Sequence, residues 1–196
     1  DISKESEATR ESYGLNGKET KDFGRSCLLA RRMLEQGVRH VQLFSGGSFG
    51  SPRINWDGHE DMKRNHGREA LRIDQPVAAL LKDLRQRGML DDTLVLFTSE
   101  FGRTPFNNTA ANPGREHHNW AFSSWLAGAG VKRGIAHGAT DEFGAAAVKD
   151  KVHVHDLHAT VLRLLGFDHE KLTYRYNGRD FRLTDVYGRV VNEIIS

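Results

Sequence analysis

A single cysteine, Cys27, stands in the 196 residues, so no disulfide can close within the chain and the redox compartment is left undecided. An excess of one charge is also missing. Lys and Arg number 28 against 26 Asp and Glu, and the net charge of +2 comes without a basic block or stripe, which argues against a nucleic-acid partner. No apolar run reaches the length of a membrane span, and the opening stretch DISKESEATRESYG holds no signal-peptide core. The chain is rich instead in histidine, with ten residues placed mostly near loops or the ends of expected elements. Imidazoles in such places are available as ligands. A hydrophobic fraction of 38% over this length suffices for one domain with a substantial core.

In chain order, residues 1–19 read as a polar, flexible lead-in and residues 20–196 as a single domain. From Glu19 to Gln36 the apolar positions Phe23, Cys27, Ala30 and Leu34 form a helical stripe closed by Gly37, which makes Cys27 a core residue rather than a nucleophile. Val38 to Ser45 reads as a strand running into a glycine-rich loop. Gly46, Ser48 and Gly50 satisfy the G-x-S-x-G pattern of a nucleophile elbow, but Pro52 disfavours the helix an elbow needs, so a serine α/β-hydrolase using Ser48 is a minor alternative. Asp74 to Gly88 reads as a helix capped by Asp74, with Pro76 in its first turn or, if the helix starts earlier, kinking it. Thr93 to Ser99 is β-branched and apolar without alternation, as in a central strand covered on both faces. This strand, helix, strand pattern predicts an α/β fold with a mostly parallel sheet and helices on both faces. In it, residues 38–45 and 93–99 are near neighbours joined by a right-handed crossover.

Candidate ligands collect at the loops after those strands, where an open parallel sheet binds its ligand. Asp57 and His59 are one residue apart and in a turning segment can face one point, a spacing suited to a divalent metal held by carboxylate and imidazole. Glu100 stands at the end of the 93–99 run, with a solvated pairing to Arg103 as its plainer explanation. The stretch REHHNW supplies His117 as a further ligand. His118 has a lesser claim, because adjacent side chains on extended chain point oppositely. His66 and His118 are candidates for holding the ligands in place, and Arg103 and Arg115 for binding anionic oxygens. Asp156 reads as the cap of a helix ending at Gly166, with His153, His155 and His158 structural beside it.

The motifs NWDGHEDMKRNH, DDTLVLFTSEFGRTP, GREHH, LAGAGVKRG, GATDEFG, VHVHDLHATVLRLLG and GRDFRLTDVYGRVV together resemble the carboxyl-terminal portion of the bacterial family called domain of unknown function 1501, from about Phe23 to the end. That family is similar to the alkaline phosphatase-like superfamily of phosphatases, sulfatases, phosphodiesterases and phosphoglycerate mutases. The resemblance implies metal-dependent hydrolysis of phosphate or sulfate esters, on small molecules or polysaccharides, with zinc, manganese, magnesium or calcium not distinguished. It places Asp57 and His59 in the first ligand loop, Glu100 as the acid of a strand-end Asp-His pair, and His117 as the late histidine. Phe101 stands where that pair has its histidine, and the nucleophile belongs to an amino-terminal region. The expectation is therefore an incomplete alkaline phosphatase-like sheet, the carboxyl-terminal part of a longer, exported or periplasmic protein. The alternative is a non-catalytic binding or cell-surface module that retains the fold.

Overall fold

In a computed structural model, residues 1–46, 55–107, 111 and 113–196 are described. Ser48 and the rest of the G-x-S-x-G stretch after Gly46 lie outside them. The chain divides into two compact units, the first from residues 1–89 and 103–117, the second from residues 90–102 and 118–196.

The first unit is helical. Helix α1 spans Glu7–Ser12 and starts at Ser6, whose hydroxyl accepts from the Thr9 amide at 3.1 Å. Helices α2, Lys21–Glu35, and α3, Met62–Gln86, pack on each other through Cys27, Leu28, Ala30, Ala79, Leu80 and Leu84, all buried. Tyr13 completes this core and donates from its hydroxyl to Asp83 at 2.9 Å. Residues 1–19, read from the sequence as a polar, flexible lead-in, carry a helix and a core side chain. Gly24 is required where α2 meets the preceding chain, because a Cβ there would collide with the Tyr13 carbonyl. Helix α3 begins twelve residues before Asp74, at an Asp61 cap, so Asp74 is an interior residue and Pro76 a buried interior proline.

The second unit carries short β-pairs and one long helix. Strand β1, Val95–Phe97, pairs antiparallel with β4, Trp125–Ala127, and Phe97 stacks on Trp125 at 5.5 Å. Strands β5, Ala139–Thr140, and β6, Ala147–Lys149, pair antiparallel, as do β7, Thr173–Tyr176, and β8, Arg179–Arg182. The β7–β8 turn is Asn177–Gly178 with positive φ at both residues, the two-residue geometry that matches strand twist. Helix α4, Val154–Leu164, lies over Val191, whose amide donates to Thr160 Oγ1 at 2.9 Å. Between β1 and β4 in sequence, β2, Gly102–Arg103, pairs with β3, His117–His118, and so places Arg103 and His117 in the first unit.

The expected parallel sheet is therefore corrected to small two-stranded antiparallel sheets. Residues 38–45 form no ladder. Val41, Leu43 and Ser45 are half-buried and alternate with exposed neighbours, so the segment has the period of a strand without a partner. The 93–99 run becomes a strand over three residues only, and its partner follows it in sequence instead of preceding it. No alkaline phosphatase-like parallel architecture is present among the described residues.

Candidate metal centre

The loop Trp56–His59 is held in shape before any ligand is considered. Trp56 donates from Nε1 to Ser45 Oγ at 3.1 Å, and its carbonyl lies 2.8 Å from His66 Nε2 on the first turns of α3. The His59 amide returns to the Asp57 carbonyl at 2.9 Å, a three-residue turn that brings both side chains to one side. On the other flank the Arg115 amide donates to the Gly58 carbonyl at 2.9 Å and the Met62 amide to Pro113 at 3.1 Å. Gly114 lies so close to the His59 backbone that a Cβ would collide with its carbonyl. Sequence-distant residues 113–117 are thereby clamped against residues 57–62.

Three ligand-type atoms converge as a result. Asp57 Oδ1 lies 2.9 Å from His59 Nε2 and 3.1 Å from His117 Nε2, and the two Nε2 atoms are 3.1 Å apart. Donor atoms about 2.0–2.1 Å from a tetrahedral zinc stand roughly 3.3 Å from one another, so this triangle is slightly tighter than a zinc site. The donor chemistry also fits a cation. A ring N–H can serve only one contact, so neutral imidazoles satisfy at most two edges of the triangle, both by donating to Asp57, and then turn two N–H groups towards each other across the third. A cation satisfies all three. Against this, all three side chains are substantially exposed, and acidic or imidazole groups at a surface often gather without an ion.

Arg103 adds a fixed positive charge. Its Nη2 donates to Asp57 Oδ1 at 2.5 Å, and its Nη1 lies 3.3 Å from both His59 Nε2 and the Arg115 carbonyl. That hydrogen bond holds the Asp57 carboxyl down to about 2, opposed by partial burial and helped by His117 and His59. Glu116, which the sequence reading left without a role, sets its Oε2 3.3 Å from His59 Nδ1.

A family profile matches the chain over residues 1–195. The chain belongs to the family described as protein of unknown function, DUF1501. No curated protein and no solved structure matches it. For this DUF1501 member the profile covers the first helices as well as the stretch from Phe23 onward that carries the motif resemblance.

The remaining candidates of the DUF1501 chain fall elsewhere. Glu100 belongs to the second unit, accepts from Ser99 Oγ at 3.1 Å and is not a member of the Asp57, His59, His117 group. Arg115 donates from its guanidinium to the Gly114 carbonyl at 2.8 Å and contributes to the loop clamp through its amide. His118 is buried, with Nε2 3.2 Å from the Gly144 carbonyl, on the opposite side of the strand from His117. His153 caps α4, accepting at Nδ1 from the His155 amide, while Asp156 supplies the reciprocal bond from inside the helix instead of being the cap itself. Glu116 was findable in principle, since an acid directly before a ligand histidine lies within reach of the same point. Among the described residues no helix is long and apolar enough to cross a membrane.

Proposed function

We propose that the chain carries a divalent-cation centre on Asp57, His59 and His117, and that it serves hydrolysis of phosphate or sulfate esters of small molecules or polysaccharides. The observation that carries this reading is the triangle of one carboxylate oxygen and two imidazole nitrogens with edges of 2.9, 3.1 and 3.1 Å. The likeness of the Asp57–His59 loop and His117 to the ligand pattern of the alkaline phosphatase-like superfamily supports it further. Two nitrogens to one oxygen suits zinc better than magnesium or calcium. When bound, such an ion supplies Lewis-acid charge to the ester oxygens.

The chain's own residues provide orientation and charge. Asp57, His59 and His117 would hold the ion. Arg103, with its planar fork anchored on Asp57, keeps a permanent cation beside the triangle where an anionic oxygen of the substrate can meet it. A second reading, a binding module without turnover, is favoured by that same contact, because an arginine committed to Asp57 has fewer donors left for substrate.

Ion content and hydrolysis of aryl phosphates and sulfates, measured on the wild type, Asp57→Ala and His59→Ala, decide between them. The expected result is zinc bound by the wild type and weakened roughly 100-fold or more in both variants, with turnover lost in parallel. Binding that is equal in all three proteins would remove this site. Binding without turnover across the ester classes would select the module reading.

A further inference from the structure

His59 has two ring nitrogens, and the triangle uses only one of them. Nε2 faces Asp57 and His117, while Nδ1 lies 3.3 Å from Glu116 Oε2. A neutral imidazole carries one proton, and a carboxylate is an acceptor only. A carboxylate this close favours the proton on Nδ1, which leaves the Nε2 lone pair on the side of Asp57 Oδ1, His117 Nε2 and the Arg103 guanidinium, whose Nη1 lies 3.3 Å away. We propose that Glu116 is a positioning residue of the cation centre, fixing His59 in the tautomer that can ligate and making Nε2 a stronger donor. This rests on the cation reading above and extends it to the residue that prepares the ligand.

Glu116 is itself held for the task. Its amide donates to Thr104 Oγ1 at 3.1 Å and its carbonyl accepts from the Thr104 amide at 3.0 Å, with Thr104 nearly buried. Both bonds use backbone atoms of Glu116, so the carboxylate is left for His59. The next residue, His117, brings its own Nε2 to the other nitrogen of the same ring, with the two ring centres 4.8 Å apart. One dipeptide thus grips both nitrogens of His59. Pairing of a ligand imidazole with a carboxylate on its far nitrogen orients the ring and raises its basicity, and loss of such a partner typically weakens the metal 10–100-fold.

The test uses two readouts on the full chain at pH 8, where an ordinary imidazole is neutral. Nitrogen NMR of the histidine rings in ion-free protein reports the His59 tautomer, and calorimetric titration with zinc reports affinity. Wild type and Glu116→Gln, whose amide oxygen still accepts, should show the Nδ1–H form. Glu116→Ala should lose that preference and bind zinc about 10–100-fold more weakly. Glu116→Gln should lie between. An unchanged tautomer in Glu116→Ala overturns the positioning role whatever zinc does, and so does equal zinc affinity in wild type and Glu116→Ala. Failure of the wild type to bind zinc instead overturns the cation centre, with the tautomer measurement still deciding whether Glu116 holds the ring.

Discussion

At the residue scale the chemistry of the site is decided by contacts that single substitutions can remove. Asp57 has a carboxyl held at about 2 against an ordinary 3.8, because Arg103 hydrogen-bonds its charged form and His117 and His59 stand beside it. The folded value is the lower one, so the associated stability is fully present above about pH 4 and is lost as pH falls from there through about 2. Asp57 is half-exposed and the pair is screened, which keeps this contribution small. The sharper expectation is the titration itself. Arg103→Met should move the Asp57 carboxyl upward toward the ordinary range, read by carbon NMR of the side chain in ion-free protein, and a carboxyl that stays near 2 would show that Arg103 is not the cause. Gly114 offers an independent check on the loop clamp. Gly114→Ala forces a Cβ into the His59 carbonyl and should cost about 1–3 kcal/mol in denaturant unfolding while separating His117 from Asp57 and His59.

At the element scale, the N-terminus of α4 shows how polar residues that look like ligands are used in architecture. Burial pushes the Asp156 carboxyl up, yet the amides of His153 and Arg189, donating at 2.9 and 2.7 Å, hold it below its ordinary value. Asp156→Ala removes both bonds and should cost about 0.5–2 kcal/mol. The wild type should lose this same contribution as pH falls below the ordinary aspartate range, since the folded value is the depressed one. An Asp156→Ala variant whose stability matches wild type at pH 7 would show the box to be idle.

The helices α2 and α4 were legible because their apolar stripes and terminal glycines are local signals. Strand partners were not. The 93–99 run states that it is apolar but not which segment pairs with it, and a strand, helix, strand pattern is equally compatible with the antiparallel pairing of β1 to the later β4. The Asn177–Gly178 turn between alternating aromatics is a local hairpin signal of the kind that pairs β7 with β8. Helix α3 exceeds the expected 74–88 span because Pro76, a start signal when nothing helical precedes it, is here a buried interior proline. At the site, the Asp57–Gly58–His59 spacing was visible. The approach of residues 113–117 depends on backbone contacts of Gly58 and Gly114 that no side-chain pattern records.

At the scale of the whole molecule, the first unit is tied together by a charge network that the apolar pattern does not reveal. Arg31 is completely buried, with Nη2 2.8 Å from Glu5, Nη1 2.8 Å from Glu35 and Nε 3.0 Å from Asp83. Of these contacts only that to Glu35 has straight hydrogen-bond geometry, and the other two act by charge at close range. Arg32 and Arg87 complete the balance, Arg32 reaching Glu5 and Glu35, and Arg87 reaching Glu35 and Asp83. Three cations thus meet three anions drawn from the first turn of the chain, α2 and the end of α3, and the Tyr13 hydroxyl joins through Asp83. Replacing one member of a buried pair strands the charges left behind and typically costs about 3–5 kcal/mol. Arg31→Met keeps most of the volume and removes the charge, so it should destabilise the first unit by that amount. The measurement is native-state hydrogen exchange of the α2 and α3 amides, combined with urea unfolding. The double variant Arg31→Met with Asp83→Asn separates charge from packing. It should recover part of the loss if stranded anions are the cause and add to it if the cost lies in misfitting the methionine. Unchanged exchange in α2 and α3 with Arg31→Met would mean that helix packing through Leu28, Leu80 and Leu84 holds this unit without the network.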